Sequence, residues 1–244
     1  AEGNNIGMRA ALRDGAELVA LVNQDVRVEP DWLTRLAESA DANPTFGILG
    51  PAQWDYDGRA PDPGFLAAVR AVDPQVAEAV AAGRRPAGPV GAPSVIGAAL
   101  LLRRAVLERV GLFDPLYFAY FEEADLCRRA RRAGFGVGIV PAARVYHWHG
   151  LAHPEAMSRR ASYLSFRNQF LYELKDGGRA AGANVRAWLA LVAREVRYCL
   201  AHPRGARGGL VRGSALVASQ VWILASLPRI FAHRALARRA PAYW

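Results

Sequence analysis

Short apolar runs alternate with longer segments of helical periodicity over the first 150 residues. Apolar and small residues recur at helical spacing from Ile6 to Gly15, and glycine ends that pattern. The next run, Ala16 to Asn23, is short and mostly apolar, which is typical of a strand buried on both faces. Pro30 suits the first turn of a helix, because its missing N–H would have no partner there, and a helix is predicted to about Asp41.

The same alternation continues to residue 150. Strands are predicted at 46–49, 95–102, 135–140 and 145–147, and helices at 104–110 and 122–133. Residues 51–92 are rich in Gly, Pro and Ala and predict a long loop with one helix near 74–82, a loop length that is often functional. The alternation predicts an α/β domain over residues 1–152 with a largely parallel, Rossmann-like sheet.

Residues 153–244 have a different, helical pattern. Helices are predicted at about 154–174, 184–201 and 209–236. The segment from Gly213 to Pro228 carries no charge, but its 16 residues are fewer than the roughly 20 that a membrane span needs. A helix lying in the membrane interface is therefore predicted, with a packed helix and a solvated basic end as the alternative.

The net charge of +9 is distributed unevenly. Residues 151–244 contain 15 Lys and Arg against 4 Asp and Glu, whereas residues 1–150 contain 16 against 18. Such asymmetry predicts a polyanionic partner, either an anionic membrane surface or nucleic acid. Nucleic acid is the less favoured partner, because the arginines are spread among apolar helical faces.

The cysteines exclude two classes of site. Cys127 and Cys199 are far apart and form no CxxC motif, which argues against a disulfide framework and a zinc site. Both are predicted to be small apolar residues in helices, in a protein of the cytosol.

Candidate chemistry is concentrated in residues 117–149 and after the strand at 18–23. Three carboxylates, Glu122, Glu123 and Asp125, begin a predicted helix, and His147 follows Glu123 by 24 residues, just past a predicted strand. Carboxylates near an imidazole suit general-base chemistry or a divalent metal. A second acidic position, Asp25, follows the upstream strand. Two such sites at strand ends of an α/β fold indicate an active-site crevice.

With these residues in place, the chain resembles the family 2 glycosyltransferases of GT-A fold, in particular their bacterial rhamnosyltransferase and galactofuranosyltransferase-like branch. The matching segments are 3–7, 21–25, 30–33, 97–101, 110–114, 120–126, 134–135, 141–143 and 146–147. The resemblance covers residues 1 to about 150 and, more loosely, the basic helical tail. It implies that the sequence begins inside the catalytic domain, after its first βα units, with an incomplete donor site and little activity alone.

The resemblance implies an inverting, metal-dependent glycosyltransferase of cell-wall polysaccharide synthesis. Such an enzyme moves a sugar from a nucleotide sugar to a hydroxyl of a lipid-linked or cell-surface glycan, at the cytoplasmic face of the membrane. Glu123 matches the catalytic base, with Glu122 as its substitute or as a helix-capping carboxylate. Asp25 and His147 match ligands of Mg²⁺ or Mn²⁺, although Asn23 replaces the first acid of the DxD-type motif.

The remaining candidates have structural alternatives. Asn4 and Asn5 match a segment near the donor nucleotide and could equally cap a helix. Gly97 and Ala98 would leave room for a sugar or would serve close strand packing. Asp125 is expected to pair with an arginine one helical turn later.

One further set of candidate residues and two alternative functions remain open. Trp54, Tyr56 and Asp57 in the long loop, and the segment Tyr117 to Tyr120, are candidate aromatic surfaces for sugar rings, with a place in the core as the alternative. A non-catalytic glycan-binding relative is one alternative function, and a nucleic-acid-binding protein is a less favoured one.

Overall fold

The computed structural model describes residues 1–148, 158–201 and 209–239. The chain divides into two compact units. The first comprises Ala1–Pro115 together with the residues from Glu122 onward to 148, and the second comprises Leu116–Phe121 and the helices after residue 157. The predicted boundary between residues 152 and 153 lies outside the described residues.

The first unit combines a six-stranded sheet with six helices among the described residues. In chain order its elements are α1 (Glu2–Arg13), β1 (Leu18–Val22), β2 (Val26–Val28), α2 (Trp32–Ala42), β3 (Phe46–Asp55), α3 (Pro63–Val72), α4 (Pro74–Ala81), β4 (Val90–Gly91), β5 (Ala99–Arg103), α5 (Arg104–Val110), α6 (Glu122–Arg132) and β6 (Gly136–His147). The predicted α/β class is confirmed.

The prediction of a largely parallel sheet is wrong. The strand order is β1-β5-β3-β6-β2, with β4 on β6, and only β3 and β6 pair in parallel among the described strands. Strands β1, β3 and β6 do run in one direction, but β5 enters between β1 and β3 in the opposite direction. Alternating apolar runs indicate the order of helices and strands along the chain. They do not indicate which strands pair, and the pairing decides whether neighbouring strands are parallel.

Strand β6 continues past Pro141, where the sequence pattern predicts an end. Its parallel pairing with β3 jumps from Pro51–Val140 to Ala52–Arg144, which leaves residues 141–143 as an irregularity in the ladder. Proline, which lacks the N–H of a ladder residue, fits such an irregularity. The continuation carries His147 to the end of the sheet, opposite Asp55 of β3.

The long segment 51–92 contains two helices where one is predicted. Asp62 precedes Pro63, and its carboxylate accepts a hydrogen bond from the Phe65 N–H at 2.7 Å. Asp73 caps α4 in the same way, also directly before a proline. An Asp-Pro pair combines an N-cap acceptor with a first-turn residue that needs no partner for its nitrogen, so both helices have a local signal.

Alternate residues of β5 pack on the two faces of the sheet. Leu100 and Leu102 belong to a core that includes Met8 of α1 and Leu126 of α6. Leu101 packs on the other face, in the core under α2. Helix α6, which carries the candidate acids, is thus fixed to the first face by its apolar residues.

The second unit is a helical bundle of α7 (Arg159–Leu174), α8 (Ala181–Ala201) and α9 (Gly209–Arg239) around one apolar core. Its short segment Leu116–Phe121 is held by Asn168 of α7, whose buried amide donates hydrogen bonds to the carbonyls of Ala119 and Tyr120 at 2.6 and 2.8 Å. Tyr120 and Phe121 have φ values of 74° and 70°, which is rare for side chains of this size.

Candidate active site

The acidic start of α6 is partly buried and carries two perturbed carboxyl groups. Burial raises the pKa of Glu122, and its Oε2 is buried without a hydrogen-bond partner among the described residues. Burial and the neighbouring charge of Glu122 raise the pKa of Glu123 to about 7. A carboxyl group with this pKa can accept a proton near neutral pH and is a stronger base than an ordinary glutamate.

Asp125 has a different, structural environment. Its carboxylate is buried and pairs with Arg129 Nε at 2.8 Å, as predicted for residues four apart on a helix. The same guanidinium donates to the carbonyls of Val110 and Leu112 at 2.5 and 2.7 Å. Asp125 therefore fixes α6 to the turn after α5, and its predicted pairing is confirmed.

Gly97 lies directly against Glu123. A Cβ atom built on Gly97 would lie 3.2 Å from both Cγ and Cδ of Glu123, closer than ordinary packing distance. The next residue, Ala98, accepts a hydrogen bond through its carbonyl from the Asn23 N–H at 2.8 Å. The side chain of Ala98 is buried. Residues 97 and 98 thus join the acidic start of α6 to the loop that carries Asn23 and Asp25.

Asp25 and His147 meet at the end of the sheet. Val26 pairs with His147 in the β2–β6 ladder, and the Trp148 N–H donates to the Asp25 carbonyl at 3.1 Å. Asp25 Oδ1 lies 3.6 Å from His147 Nε2. The Asn23 side chain is exposed two residues before Asp25.

This pair fits a divalent cation that keeps part of its shell for substrate and water. Metal–ligand distances near 2.1 Å place neighbouring octahedral ligands about 3 Å apart, so a small shift of Asp25 or His147 would let both bind one ion. Among the described residues there is no group of three or more His, Cys, Asp or Glu side chains suited to a metal. Mg²⁺ is commonly bound by one or two carboxylates with phosphate oxygens and water, so the Asp25 carboxylate suits it better than the His147 imidazole does.

The two asparagines of α1 differ. The amide of Asn5 is fully buried and makes hydrogen bonds in both directions with the Phe113 backbone, at 2.8 and 3.0 Å. Those contacts fix α1 to the loop before Asp114. The buried Asn5 side chain is therefore not available to contact a nucleotide, contrary to the sequence-based expectation. Asn4 is exposed on the same helix.

The sequence indicated Tyr56 and Asp57 as candidate sugar surfaces but not the cavity that they line beside His147, and Trp54 lies in the core. The cavity has a volume of about 500 Å³ and is lined by Asp55, Tyr56, Asp57, His147 and Trp148. The sequence pattern also did not indicate Arg27 of β2, whose guanidinium lies 4.0 Å from the ring centre of Tyr146. No local pattern indicates this cavity, because it depends on the pairing of Asp55 with His147 across two strands.

Comparison with known proteins gives consistent family relationships. The low-salt glycan biosynthesis hexosyltransferase Agl10 of Haloferax volcanii is 26% identical over 69% of this chain and 55% of its own length. The N-acetylglucosaminyl-diphospho-decaprenol L-rhamnosyltransferase of Mycobacterium tuberculosis is 32% identical over 53% of this chain and 46% of its own. The chain spans about half the length of the curated relatives that it matches.

Two further similarities were found. The dTDP-rhamnosyl transferase RfbF of Shigella flexneri is 26% identical over 60% of this chain and 48% of its own length. The crystal structure of GalNAc-T7 with UDP, GalNAc and Mn²⁺ has a TM-score of 0.48 and 14% identity, covering 91% of this chain and 43% of that one. The family description "Glycosyltransferase like family 2" matches residues 2–167, two thirds of the sequence. The chain therefore belongs to glycosyltransferase family 2.

Proposed function

We propose that this chain carries the catalytic centre of an inverting glycosyltransferase. The enzyme transfers a sugar from a nucleoside diphosphate sugar to a hydroxyl group of a glycan or lipid-linked acceptor. The observation that carries the proposal is Glu123, whose pKa is raised to about 7 and whose side chain contacts Gly97, next to the loop of Asn23 and Asp25.

Glu123 acts as the general base. Its carboxylate takes the proton of the acceptor hydroxyl while that oxygen attacks the anomeric carbon, and the bond from this carbon to the diphosphate oxygen breaks. One displacement of this kind inverts the anomeric configuration. The neighbouring Glu122 raises the basicity of Glu123 through its charge and is the alternative base.

Asp25 and His147 would hold Mg²⁺ or Mn²⁺. When bound, the cation neutralises the charge that develops on the leaving diphosphate. Asn23, Asn4 and the Gly97–Ala98 backbone are the proposed contacts of the donor. Gly97 has no side chain to exclude a substrate from Glu123, which supports its part in this set.

The acceptor class is inferred from the relatives. One of them is named for a rhamnosyl transfer to a decaprenol-linked sugar, and another for glycan biosynthesis. A lipid-linked acceptor would require this protein to work at a membrane surface. We place it at the cytoplasmic face, where nucleotide sugars are available.

The last helix supports a membrane surface as partner. The segment Gly209–Ala235 of α9 is long and apolar enough to cross a membrane. Within the second unit, one face of α9 is buried through Ala215, Ile223 and Ile230, while Val217 and Val221 are exposed on the other. A helix with one face packed on protein and one apolar face exposed fits an interfacial position better than an isolated span.

The proposed activity is tested by nucleoside diphosphate release from UDP-, dTDP- and GDP-sugars. The full-length protein is assayed with Mg²⁺, Mn²⁺ or EDTA, together with short-chain polyprenyl diphosphate N-acetylglucosamine as acceptor. We expect release with one donor, abolished by EDTA and lowered about 10²- to 10⁴-fold in Glu123→Gln. Glu38→Gln, an exposed glutamate of α2, is the matched control and should keep full activity.

Two outcomes would overturn the proposal. Equal rates of nucleoside diphosphate release by wild type and Glu123→Gln would show that Glu123 is not the general base. No release with any donor from a folded protein, with glycan binding retained, would favour the non-catalytic glycan-binding relative instead.

A further inference from the structure

We propose that Tyr56 and Trp148 form a stacking platform for a sugar ring of the substrate, beside Asp25 and His147. The inference rests on the proposed function and assigns a ligand class to the cavity of about 500 Å³ that these aromatic residues line. The ring centres of Tyr56 and Trp148 are 5.6 Å apart and their planes are inclined by 48°. Both side chains are exposed, Trp148 to 63%.

Trp148 is held in place by backbone contacts of the candidate metal site. Its N–H donates to the Asp25 carbonyl at 3.1 Å, and the preceding residue is paired with both β2 and β3. These contacts fix the backbone of Trp148 at the end of β6, next to the atoms proposed to hold the diphosphate end of the donor. Two adjacent exposed aromatic rings beside polar groups form the kind of apolar patch that marks a ligand-binding surface.

Tyr56 is held by Arg27 and by a tight turn. Arg27 Nη2 donates to the Tyr56 carbonyl at 2.8 Å, and the Arg27 guanidinium lies 5.7 Å from the Tyr56 ring centre. The turn closes at Gly58, where φ is 75° and an added Cβ would lie 2.9 Å from the Tyr146 ring. Only glycine fits this position easily. The tyrosine is thus presented to the cavity by a turn that its surroundings fix.

The other lining groups complement a sugar. A pyranose or furanose ring has apolar C–H faces that stack on aromatic rings, and hydroxyls around its edge that donate hydrogen bonds. Asp55 and Asp57 line the same cavity and provide carboxylate acceptors. Pockets that fix a ligand by aromatic surfaces and a few placed polar groups have this composition.

The sugar ring could belong to the donor or to the acceptor, and the two sources share this chemistry. Saturation-transfer NMR with methyl α-L-rhamnopyranoside, methyl β-D-galactofuranoside and methyl N-acetyl-β-D-glucosaminide measures ring binding directly. We expect at least one glycoside to bind wild type, and its Kd to rise about tenfold or more in Trp148→Ala, a change of about 1.4 kcal/mol. Tyr56→Ala should weaken binding as well, and Trp148→Phe should retain most of it.

Leu33→Ala is the matched control, because Leu33 is an exposed apolar residue of α2 that does not line this cavity. Competition separates the sources: a glycoside displaced by a nucleotide sugar occupies the position of the transferred sugar, whereas one that binds together with it occupies the acceptor position. Binding that is unchanged in folded Trp148→Ala, or no binding of any glycoside to wild type, would overturn the platform.

The assay also separates this inference from the proposed function. If glycoside binding depends on Trp148 but the protein releases no nucleoside diphosphate, the stacking platform is supported and the proposed glycosyltransferase activity is contradicted. If nucleoside diphosphate is released but glycoside binding is the same in Tyr56→Ala and Trp148→Ala, the proposed activity is supported and the stacking platform is contradicted.

Discussion

Glu123 is a carboxylate for which burial outweighs a favourable helix position. A carboxylate in the first turn gains about 0.3–1 kcal/mol from the helix dipole, which would lower its pKa. The pKa of Glu123 is instead raised from 4.5 to about 7, equivalent to about 3 kcal/mol in the opposite sense. Desolvation is the larger effect here, and the charge of Glu122 adds to it.

We expect the activity to rise with pH through about 7. The base must be ionised to accept a proton, and the ionised fraction of Glu123 increases as the pH passes its pKa of about 7. The measurement is kcat/KM between pH 5 and 9 at fixed metal concentration. An activity that is level from pH 5 to 8 would show that another group is the base.

The stability should have the opposite pH dependence. Because the folded-state pKa of Glu123 is raised, its contribution to folding is full below about 4.5 and is lost as the pH rises through about 7. Glu123→Gln mimics the protonated form, so it should gain up to about 3 kcal/mol in unfolding free energy relative to wild type between pH 5 and 8. Urea unfolding at both pH values measures this, and Glu38→Gln should show no such gain.

Gly97→Ala tests the contact at the base. The added methyl group would meet the Glu123 side chain at 3.2 Å, so this side chain must move to accommodate it. We expect kcat to fall about tenfold or more and the pH midpoint of activity to shift, with a change in stability of about 1 kcal/mol or less. Gly91→Ala, where the added Cβ would meet open space outside the proposed site, is the control and should leave kcat and the pH midpoint unchanged.

Two ion pairs, one in α6 and one at the start of α2, show how exposure decides what an ion pair contributes to stability. Asp125–Arg129 and Asp31–Arg35 have the same spacing and similar distances, 2.8 and 2.6 Å. The first pair is nearly inaccessible, with side-chain exposures of 2% and 8%, whereas the second has 43% and 40%. Water screens the second pair, whereas breaking the first would leave the buried Asp125 carboxylate with the longer contact to Arg128 at 3.5 Å.

Arg129→Met should therefore cost about 3 kcal/mol of unfolding free energy, because the carbonyls of Val110 and Leu112 lose this donor and Asp125 keeps the longer arginine contact, to Arg128. Arg35→Met, the matched change in the exposed pair, should cost about 1 kcal/mol or less. Chemical unfolding of both variants measures the difference. Equal costs would show that burial does not govern these pairs.

At the scale of the whole molecule, charge and apolar surface coincide in the helical unit. The excess of arginine lies after residue 150, and the exposed apolar residues of α9 recur on one helix face. They are Leu210, Val217, Val221, Leu224 and Phe231. A cationic helix with an exposed apolar face is typical of binding to an anionic membrane surface.

Replacing Leu210, Val217 and Val221 together by serine should weaken binding to vesicles about tenfold or more, because their apolar area is then not removed from water. Sedimentation with phosphatidylcholine vesicles, with and without phosphatidylglycerol, measures this. We expect wild type to prefer the anionic vesicles and to bind oligonucleotides weakly.

The control for this experiment is the triple serine variant of Leu33, Val72 and Ile6, three exposed apolar residues of the first unit. It should bind vesicles as wild type does. Equal binding by both triple variants would contradict a membrane role for α9, and a preference for oligonucleotides would revive the nucleic-acid alternative.

Much of the local structure and the family could be predicted from the sequence alone. Helix α6 with its acidic first turn, the pairing of Asp125 with Arg129 and the presence of a strand before Asp25 each depend on residues a few positions apart. Such features follow from periodicity, capping and short spacings, which act within one element. The prediction that the strand before Asp25 is buried on both faces is wrong, because Val19 is its one buried residue and Val22 is exposed. The catalytic and metal roles of Glu123, Asp25 and His147 stay predictions.

The tertiary structure alone decided which distant residues meet. It set β5 antiparallel between β1 and β3, carried β6 past Pro141, and directed Asn5 to the Phe113 backbone. It also brought Asp55 opposite His147 and so formed the cavity of Tyr56 and Trp148. Strand direction and register arise from pairing and packing over the whole sheet, and no short stretch of sequence specifies them.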